Sequence, residues 1–263
     1  MAAVTVHRVL SRPETELKWI AISSLGVFGV WRGGEVVPAG EWQSRKARDL
    51  LKILVCRRGR PITRDGLIET LWPEQDPRKT SNRLSVALST VRAVLDPKRQ
   101  FEAQQFIRSD RYAVRLERDN LSIDVEEFLE DAQTGLTLRR AGRHDVARRL
   151  LERAEAAYAG DFLEEDLYED WAVLLREEAR AAYVAVTSAL AQLARRDGDP
   201  EEAIRLRMRV LALDPYDEAT HLAIVASLGA LGHHGNARRV YRRYVARMRE
   251  IGARPAPYAT AAG

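Results

Sequence analysis

Apolar residues along this chain change their period twice. KWIAI at 18–22 and LGVFGVW at 25–31 are short runs rich in Ile, Val, Phe and Trp, which predict extended strands. Arg32-Gly33-Gly34-Glu35 can turn the chain before Val36 and Val37 resume, and Pro38 and Gly40 end a small antiparallel sheet. The spacing then becomes helical. Ala47, Leu50, Leu51, Leu54 and Val55 draw one broad face behind Ser44, a candidate cap, and Gly59-Arg60-Pro61 closes that helix. Thr63 is the candidate cap of a second helix with Leu67, Ile68, Leu71 and Trp72 inward. Pro73 and Pro77 forbid its continuation. A third helix runs from about 79 to 95, where Leu84, Leu88, Val91 and Leu95 recur at four, three and four residues. Asp96-Pro97 ends it, and QQFIRSDRYAVRLE then alternates as a hairpin turning at Ser109-Asp110, with Ile107, Tyr112, Val114 and Leu116 available to pack.

Strands, three helices and a hairpin, in that order, make a winged helix. The third helix carries Asn82, Val86, Ser89 and Thr90 opposite its apolar stripe, where a surface helix usually places Glu and Lys. Small and mildly polar groups suit a face that must approach base edges, with charges at the margin where phosphates lie.

From Val125 onward the pattern is helical almost throughout, and it repeats. Gly142 and Ala147, Gly198 and Ala203, and Gly232 and Ala237 share a five-residue offset between a turn glycine and a helix alanine. The last two pairs stand 34 residues apart, the length of a tetratricopeptide unit of two antiparallel helices. The fold class is therefore an α+β winged helix-turn-helix followed by an all-α tetratricopeptide-like repeat domain. The expected division is an arm at 1–17, a winged helix at 18–122, a helical domain at 123–257 and a tail at 258–263.

Composition sharpens this picture at two points. The 263 residues are 46% apolar and 30% charged, an ordinary soluble mixture, and hold no run of 18 apolar residues. A cytoplasmic protein without a membrane segment is expected. The formal charge of +4 hides a division: residues 1–122 carry 22 Lys and Arg against 14 Asp and Glu, a balance of +8, and the rest carry 20 against 24, a balance of −4. One half is built to meet a polyanion. The single Cys56 rules out an internal disulfide framework and any multi-cysteine metal site, and its place behind Leu54 and Val55 predicts a buried thiol.

Together these stretches carry a specific resemblance. Residues 18–124 resemble the DNA-binding domain of response-regulator (OmpR/PhoB) type found in the Streptomyces antibiotic regulatory proteins. The matching stretches are LG at 25–26, GGEVV at 33–37, RKARDLLKILVCRRGRPITRDGLIETLWP at 45–73, LSVALSTVRAVLDP at 84–97, IRSDRYAV at 107–114 and IDVEEF at 123–128. The helical half resembles the bacterial transcriptional activation domain of the same family, through VARRLLERAEAAYAGDFL at 146–163, YEDWAVLLREEA at 168–179, DPYDEATHLAI at 214–224 and YRRYVARMREIGARPAP at 241–257. The resemblance implies that the third helix lies in the major groove with Asn82, Arg83, Val86, Ser89 and Thr90 facing it. It implies a wing reaching a minor groove or phosphate, double-stranded promoter DNA and RNA polymerase as partners, and self-association on tandem sites. It further implies an activator of a secondary-metabolite (antibiotic) gene cluster. The chain departs from the family pattern at Ser89-Thr90, where a basic residue is usual, at Ala87, often His, and at Arg111, usually Gly. No P-loop, ATPase or phosphoacceptor segment is recognisable, so the extensions of larger family members are not expected.

The remaining candidate contacts are basic. Arg78, Lys79 and Arg83 open the third helix and suit phosphates or a purine edge, Arg by bidentate pairing with guanine. Val86 suits a thymine methyl, and Arg92 a backbone clamp or an internal ion pair. Arg108 and Arg111 flank the hairpin turn, where an arginine can enter a minor groove. Thr63 and Arg64, and Arg45 and Lys46, stand at helix starts whose N–H groups can meet phosphate. The bland alternative for each is a solvated charge or a simple cap. In the helical half, EEDLYEDW at 164–171 is the most acidic stretch; it either favours a helix N-terminus above a buried Trp171 or contacts the transcription machinery or the winged domain. Arg238, Arg239, Arg242 and Arg243 form a ridge that is either solvated or paired with acidic neighbours, while Tyr244 belongs to the core.

Nothing suggests catalysis. GxSxG, HExxH and Walker sequences do not occur, and His7, His144, His221, His233 and His234 have no metal-ligand spacing. No catalytic residue, metal or cofactor is expected. The rival to a DNA reader is a helical interaction module whose winged helix no longer reads DNA.

Overall fold

The computed structural model describes residues 19–73, 75 and 77–258; Pro77, Arg78 and Lys79 are described by backbone alone. The expected arm therefore lies outside the described residues, as do Ala259 to Gly263 of the tail. The described residues form two compact units: the first takes residues up to 128 together with 157–179, the second 129–156 and everything from 180.

In the first unit, β1 (Ile20–Ser23), β2 (Gly29–Arg32) and β3 (Glu35–Val36) form the antiparallel sheet. Gly33 and Gly34 take φ of 57° and 86°, the pair of positive values that a two-residue hairpin turn matching the strand twist requires. The sheet has a fourth strand that alternation in the first forty residues does not reveal: β7 (Leu121–Ile123) pairs parallel to β1, Ile20 opposite Leu121 and Ile22 opposite Ile123. All four of these side chains are buried.

Three helices follow the antiparallel strands: α1 (Arg45–Cys56), α2 (Arg64–Leu71) and α3 (Pro77–Leu95). Ser44 has the extended backbone of a cap, but its hydroxyl makes no capping bond. Thr63 does cap, its Oγ1 accepting from the Gly66 N–H at 3.1 Å. Pro77 sits at the start of α3, where its missing N–H costs nothing. The stripe Leu84, Leu88, Val91 and Leu95 is buried against α1 and α2, with Leu50, Leu54, Leu67 and Trp72 in the same core. Cys56, in the last turn of α1, is half-buried and not fully enclosed, because the chain leaves the core there. β5 (Ile107–Ser109) and β6 (Ala113–Leu116) make the wing, and β4 (Ile62–Thr63) joins them as a third strand. Ile107, Val114 and Leu116 are buried as expected, but Tyr112 is 64% exposed because it falls on the turn and not on a strand face.

Two polar anchors tie later residues into this unit. Asp124 accepts from the N–H groups of Ser24 and Leu25 and from the Ser24 hydroxyl, at 2.6 to 2.9 Å. Lys52, on the buried face of α1, donates to Asp166 at 2.5 Å and to Glu165 at 2.8 Å, and Arg48 reaches Glu165 at 3.0 Å. The acidic stretch is thus in contact with the winged helix, one of the two roles its charge allowed. Trp171 is half-exposed, its indole donating to Glu169, and does not lie buried beneath that stretch. The Arg176 guanidinium is buried and donates to the carbonyls of Phe162, Asp166 and Leu167, which holds the 162–167 loop in place.

Six helices carry the rest: α4 (Asp124–Arg140), α5 (His144–Ala157), α6 (Asp170–Arg196), α7 (Pro200–Leu213), α8 (Glu218–Ala230) and α9 (His234–Glu250). Gly142, Gly198 and Gly232 stand in the turns α4–α5, α6–α7 and α8–α9 with φ of 78°, 82° and 74°, the left-handed closure that glycine makes without strain. Ala147, Ala203 and Ala237, five residues on, are fully buried. The repeat read from the glycine–alanine offset is the repeat of the fold. In the second unit, Tyr244 is fully buried, its hydroxyl bonded to Glu218 and to the Ala256 N–H.

Candidate nucleic-acid interface

The outward face of α3 is made by Asn82, Arg83, Ser85, Val86, Ser89 and Ala93, all exposed, Val86 by 60%. Thr90 is different. It lies one turn before Val94, on a flank of the helix that the core covers, and is 9% exposed with its hydroxyl returned to the Val86 carbonyl. The expectation that Thr90 faces a groove is corrected by that burial. Arg78 and Lys79 are on the first turn of α3, and their side chains lie outside the described residues.

Arginines frame this face. Arg83 donates to the Gln75 side-chain carbonyl at 2.6 Å, and Arg64 crosses from α2 to the Ser85 hydroxyl at 3.1 Å. Arg92 is half-buried and donates to the Ile107 carbonyl at 3.2 Å and the Ser109 hydroxyl at 2.6 Å. It thereby fastens α3 to the wing. Burial first, and the like charge of Arg64 second, lower the Arg92 pKa. An anion relieves such like-charge repulsion.

On the wing, Arg108 and Arg115 share the Glu117 carboxylate at 3.1 and 2.8 Å. Arg111 lies over the exposed Tyr112 ring, 4.6 Å from its centre. Asp110 accepts from the Tyr112 and Ala113 N–H groups at 2.7 and 2.8 Å, which shapes the turn and lowers its pKa through those same bonds. The start of α2 has less to offer a phosphate than its position suggests. The Gly66 N–H is used by Thr63, and the Arg64 N–H already donates to the Tyr112 carbonyl at 2.9 Å. Arg45 and Lys46 are exposed on the first turn of α1, Lys46 3.7 Å from Asp49.

The structure therefore brings Asn82, Arg83, Val86, Ser89, Arg64 and Arg92 onto or around one helix face, with Arg108 and Arg111 on the adjoining wing. Three neighbours, Ser85, Ala93 and Arg115, were missed by sequence reasoning. Ser85 lies on the same helical arc as Asn82 and Ser89, which the period of α3 shows. Arg115 follows Arg111 by four on a hairpin, where alternation marks it only as part of a strand.

Among the described residues no three His, Cys, Asp or Glu side chains are placed to hold a metal ion, and no helix is long and apolar enough to cross a membrane. Residues 123–262 match the family described as bacterial transcriptional activator domain, and residues 42–111 match the one described as transcriptional regulatory protein, C terminal. The regulatory protein AfsR of Streptomyces coelicolor is 32% identical over 150 residues, 57% of this chain and 14% of AfsR. The transcriptional regulatory protein EmbR of Mycobacterium tuberculosis is 24% identical over 239 residues, 89% of this chain and 59% of EmbR. The chain thus spans less than two thirds of either relative. A solved structure of M. tuberculosis EmbR in complex with a low affinity phosphopeptide shares the fold, with a TM-score of 0.75 at 24% identity over 93% of this chain and 64% of that one. With more than half its length matching, the chain belongs to the bacterial transcriptional activator domain family, and its amino-terminal winged helix matches the carboxy-terminal domain of transcriptional regulatory proteins.

Proposed function

We propose that this protein is a sequence-specific DNA-binding activator of transcription. The observation that carries the reading is the two-sidedness of α3: Leu84, Leu88, Val91 and Leu95 are buried, and Asn82, Arg83, Val86 and Ser89 stand exposed on the other side among arginines. An uncharged face rimmed by guanidinium groups fits a major groove, where base edges meet small polar and methyl-sized groups and phosphates meet the rim. The wing arginines extend the contact to the next groove or backbone. The helical repeats then serve a partner or a second copy, and recruitment of RNA polymerase at the promoters of a secondary-metabolite cluster is the activity the family suggests.

The test uses a duplex enriched from a random pool by the full chain, and a scrambled duplex of equal length. The wild type is expected to prefer the first, and Arg83→Ala to weaken the enriched duplex by roughly 1–3 kcal/mol if Arg83 pairs with guanine, leaving the scrambled one little changed. Equal affinity for the two duplexes, untouched by Asn82→Ala and Ser89→Ala, overturns the reading and favours the interaction module.

A further inference from the structure

The last helix of the second unit carries a charged face that the winged helix does not explain. Ala237, Tyr244 and Met248 of α9 are buried, with Tyr241 packed beside them. Opposite them lie Arg238, Arg239, Arg242, Arg243 and Arg249, all exposed. Spacings of three, four and seven residues place these five on one arc, with Ala246 between them and Glu250, the partner of Arg247, at its carboxy-terminal end. Arg140, Arg143, Arg149 and Arg196 of the helical half also form no ion pair among the described residues, but they are scattered over three helices and a turn. Several other arginines of the second unit do have carboxylate partners: Arg148 has Asp197, Arg153 has Asp131, Arg209 has Glu155 and Arg247 has Glu250. The five do not. Arg239 reaches the Asn236 side chain, Arg238 lies over the Tyr258 ring, and among the described residues none of the five forms an ion pair.

We infer that this face of α9 binds the phosphate backbone of duplex DNA, as a second contact that adds affinity without sequence preference. The inference rests on the reading of the protein as a DNA binder. Two features favour DNA over an acidic protein surface. A stable protein interface usually has an apolar, water-excluded centre, and the outer arc offers only Ala246 between its charged side chains. A polyanion is held by charge alone, through release of its counterions, and guanidinium groups match phosphate oxygens in pairs. The geometry also fits. At 1.5 Å per residue, Arg238 to Arg249 spans about 16 Å, and steps of four residues advance about 6 Å, close to the spacing of successive phosphates along one strand.

The test compares the full chain with a variant in which Arg238, Arg239, Arg242 and Arg243 are replaced by Gln, and with a control in which Arg140, Arg143, Arg149 and Arg196, exposed elsewhere in the helical half, are replaced likewise. Both variants lose the same charge. Affinity for the enriched and scrambled duplexes is measured across a salt series. The α9 variant is expected to lose about 10- to 100-fold on both duplexes, with the slope of log affinity against log salt falling by up to about 3.6, near 0.9 for each of four phosphates no longer neutralised. The control should change far less. An α9 variant with unchanged slope, or a loss equal to that of the control, overturns the inference. Sequence preference is a separate readout: its absence in the wild type sinks the proposed function, whereas an intact preference with no α9 effect sinks only this inference.

Discussion

Replacing Lys52 by Met isolates the buried ion pair of the first unit. The Lys52 and Asp166 side chains are 3% and 5% exposed, and their charged atoms are 2.5 Å apart. Methionine keeps most of the length of the side chain and removes the ammonium, together with its contact 5.1 Å from the centre of the Phe28 ring. Glu165 retains Arg48 at 3.0 Å, so the stranded group is Asp166. Breaking a buried pair from one side costs about 3–5 kcal/mol, because the remaining charge has neither water nor partner. Replacing both partners with apolar residues is close to neutral for the same reason. All five tryptophans, Trp19, Trp31, Trp42, Trp72 and Trp171, belong to the first unit, so urea unfolding followed by tryptophan fluorescence reports on that unit alone. Lys52→Met should lower the stability read from its transition by that amount, and Lys52→Met with Asp166→Leu should recover most of the loss. A single-variant loss under about 1 kcal/mol, the level of a surface pair, would refute the argument. A double variant as unstable as the single one would also refute it.

Two further perturbations test the core and its thiol. Leu84→Ala removes a fully buried side chain from the inner face of α3 and should cost about 2–5 kcal/mol in the same fluorescence assay, and under the proposed function it should weaken DNA binding by loosening the helix without altering its outward face. Burial pushes the Cys56 thiol from 9.0 up to about 12, with Arg176 opposing the rise and Asp166 adding to it. Because the folded chain holds that proton more tightly than the unfolded one, stability should fall as pH rises from 9 towards 12. Alkylation of native Cys56 should stay slow through pH 9, whereas the denatured chain reacts there; a native rate rising with a midpoint near 9 counts against the burial argument.

The element order of the winged helix and the repeat register were both legible in residue spacing. The stripe Leu84, Leu88, Val91, Leu95 and the glycine–alanine offset each depend on contacts within a few turns of chain, and local periodicity records such contacts directly. The outward face of α3 was legible for the same reason at Asn82, Val86 and Ser89, which are exposed. It failed at Thr90, which differs from Ser89 by one residue and lies on a flank whose burial depends on the neighbouring core. Tyr112 failed likewise, since alternation through a hairpin predicts a strand face and does not locate the turn that exposes it.

What the chain's order of residues determined by itself is which elements form, which face of each is apolar, and where positive charge gathers: on α3 and the wing, and along the outer arc of α9. Tertiary structure alone decided three things. It paired Leu121–Ile123 with a strand about a hundred residues earlier, buried Lys52 against Glu165 and Asp166 more than 110 residues away, and left the arginines on the outer arc of α9 without carboxylate partners among the described residues while Arg148, Arg153 and Arg209 found theirs. Periodicity is a property of neighbours along the chain, whereas the pairing of a strand or of a charge is set by whichever distant group the packed core brings within reach.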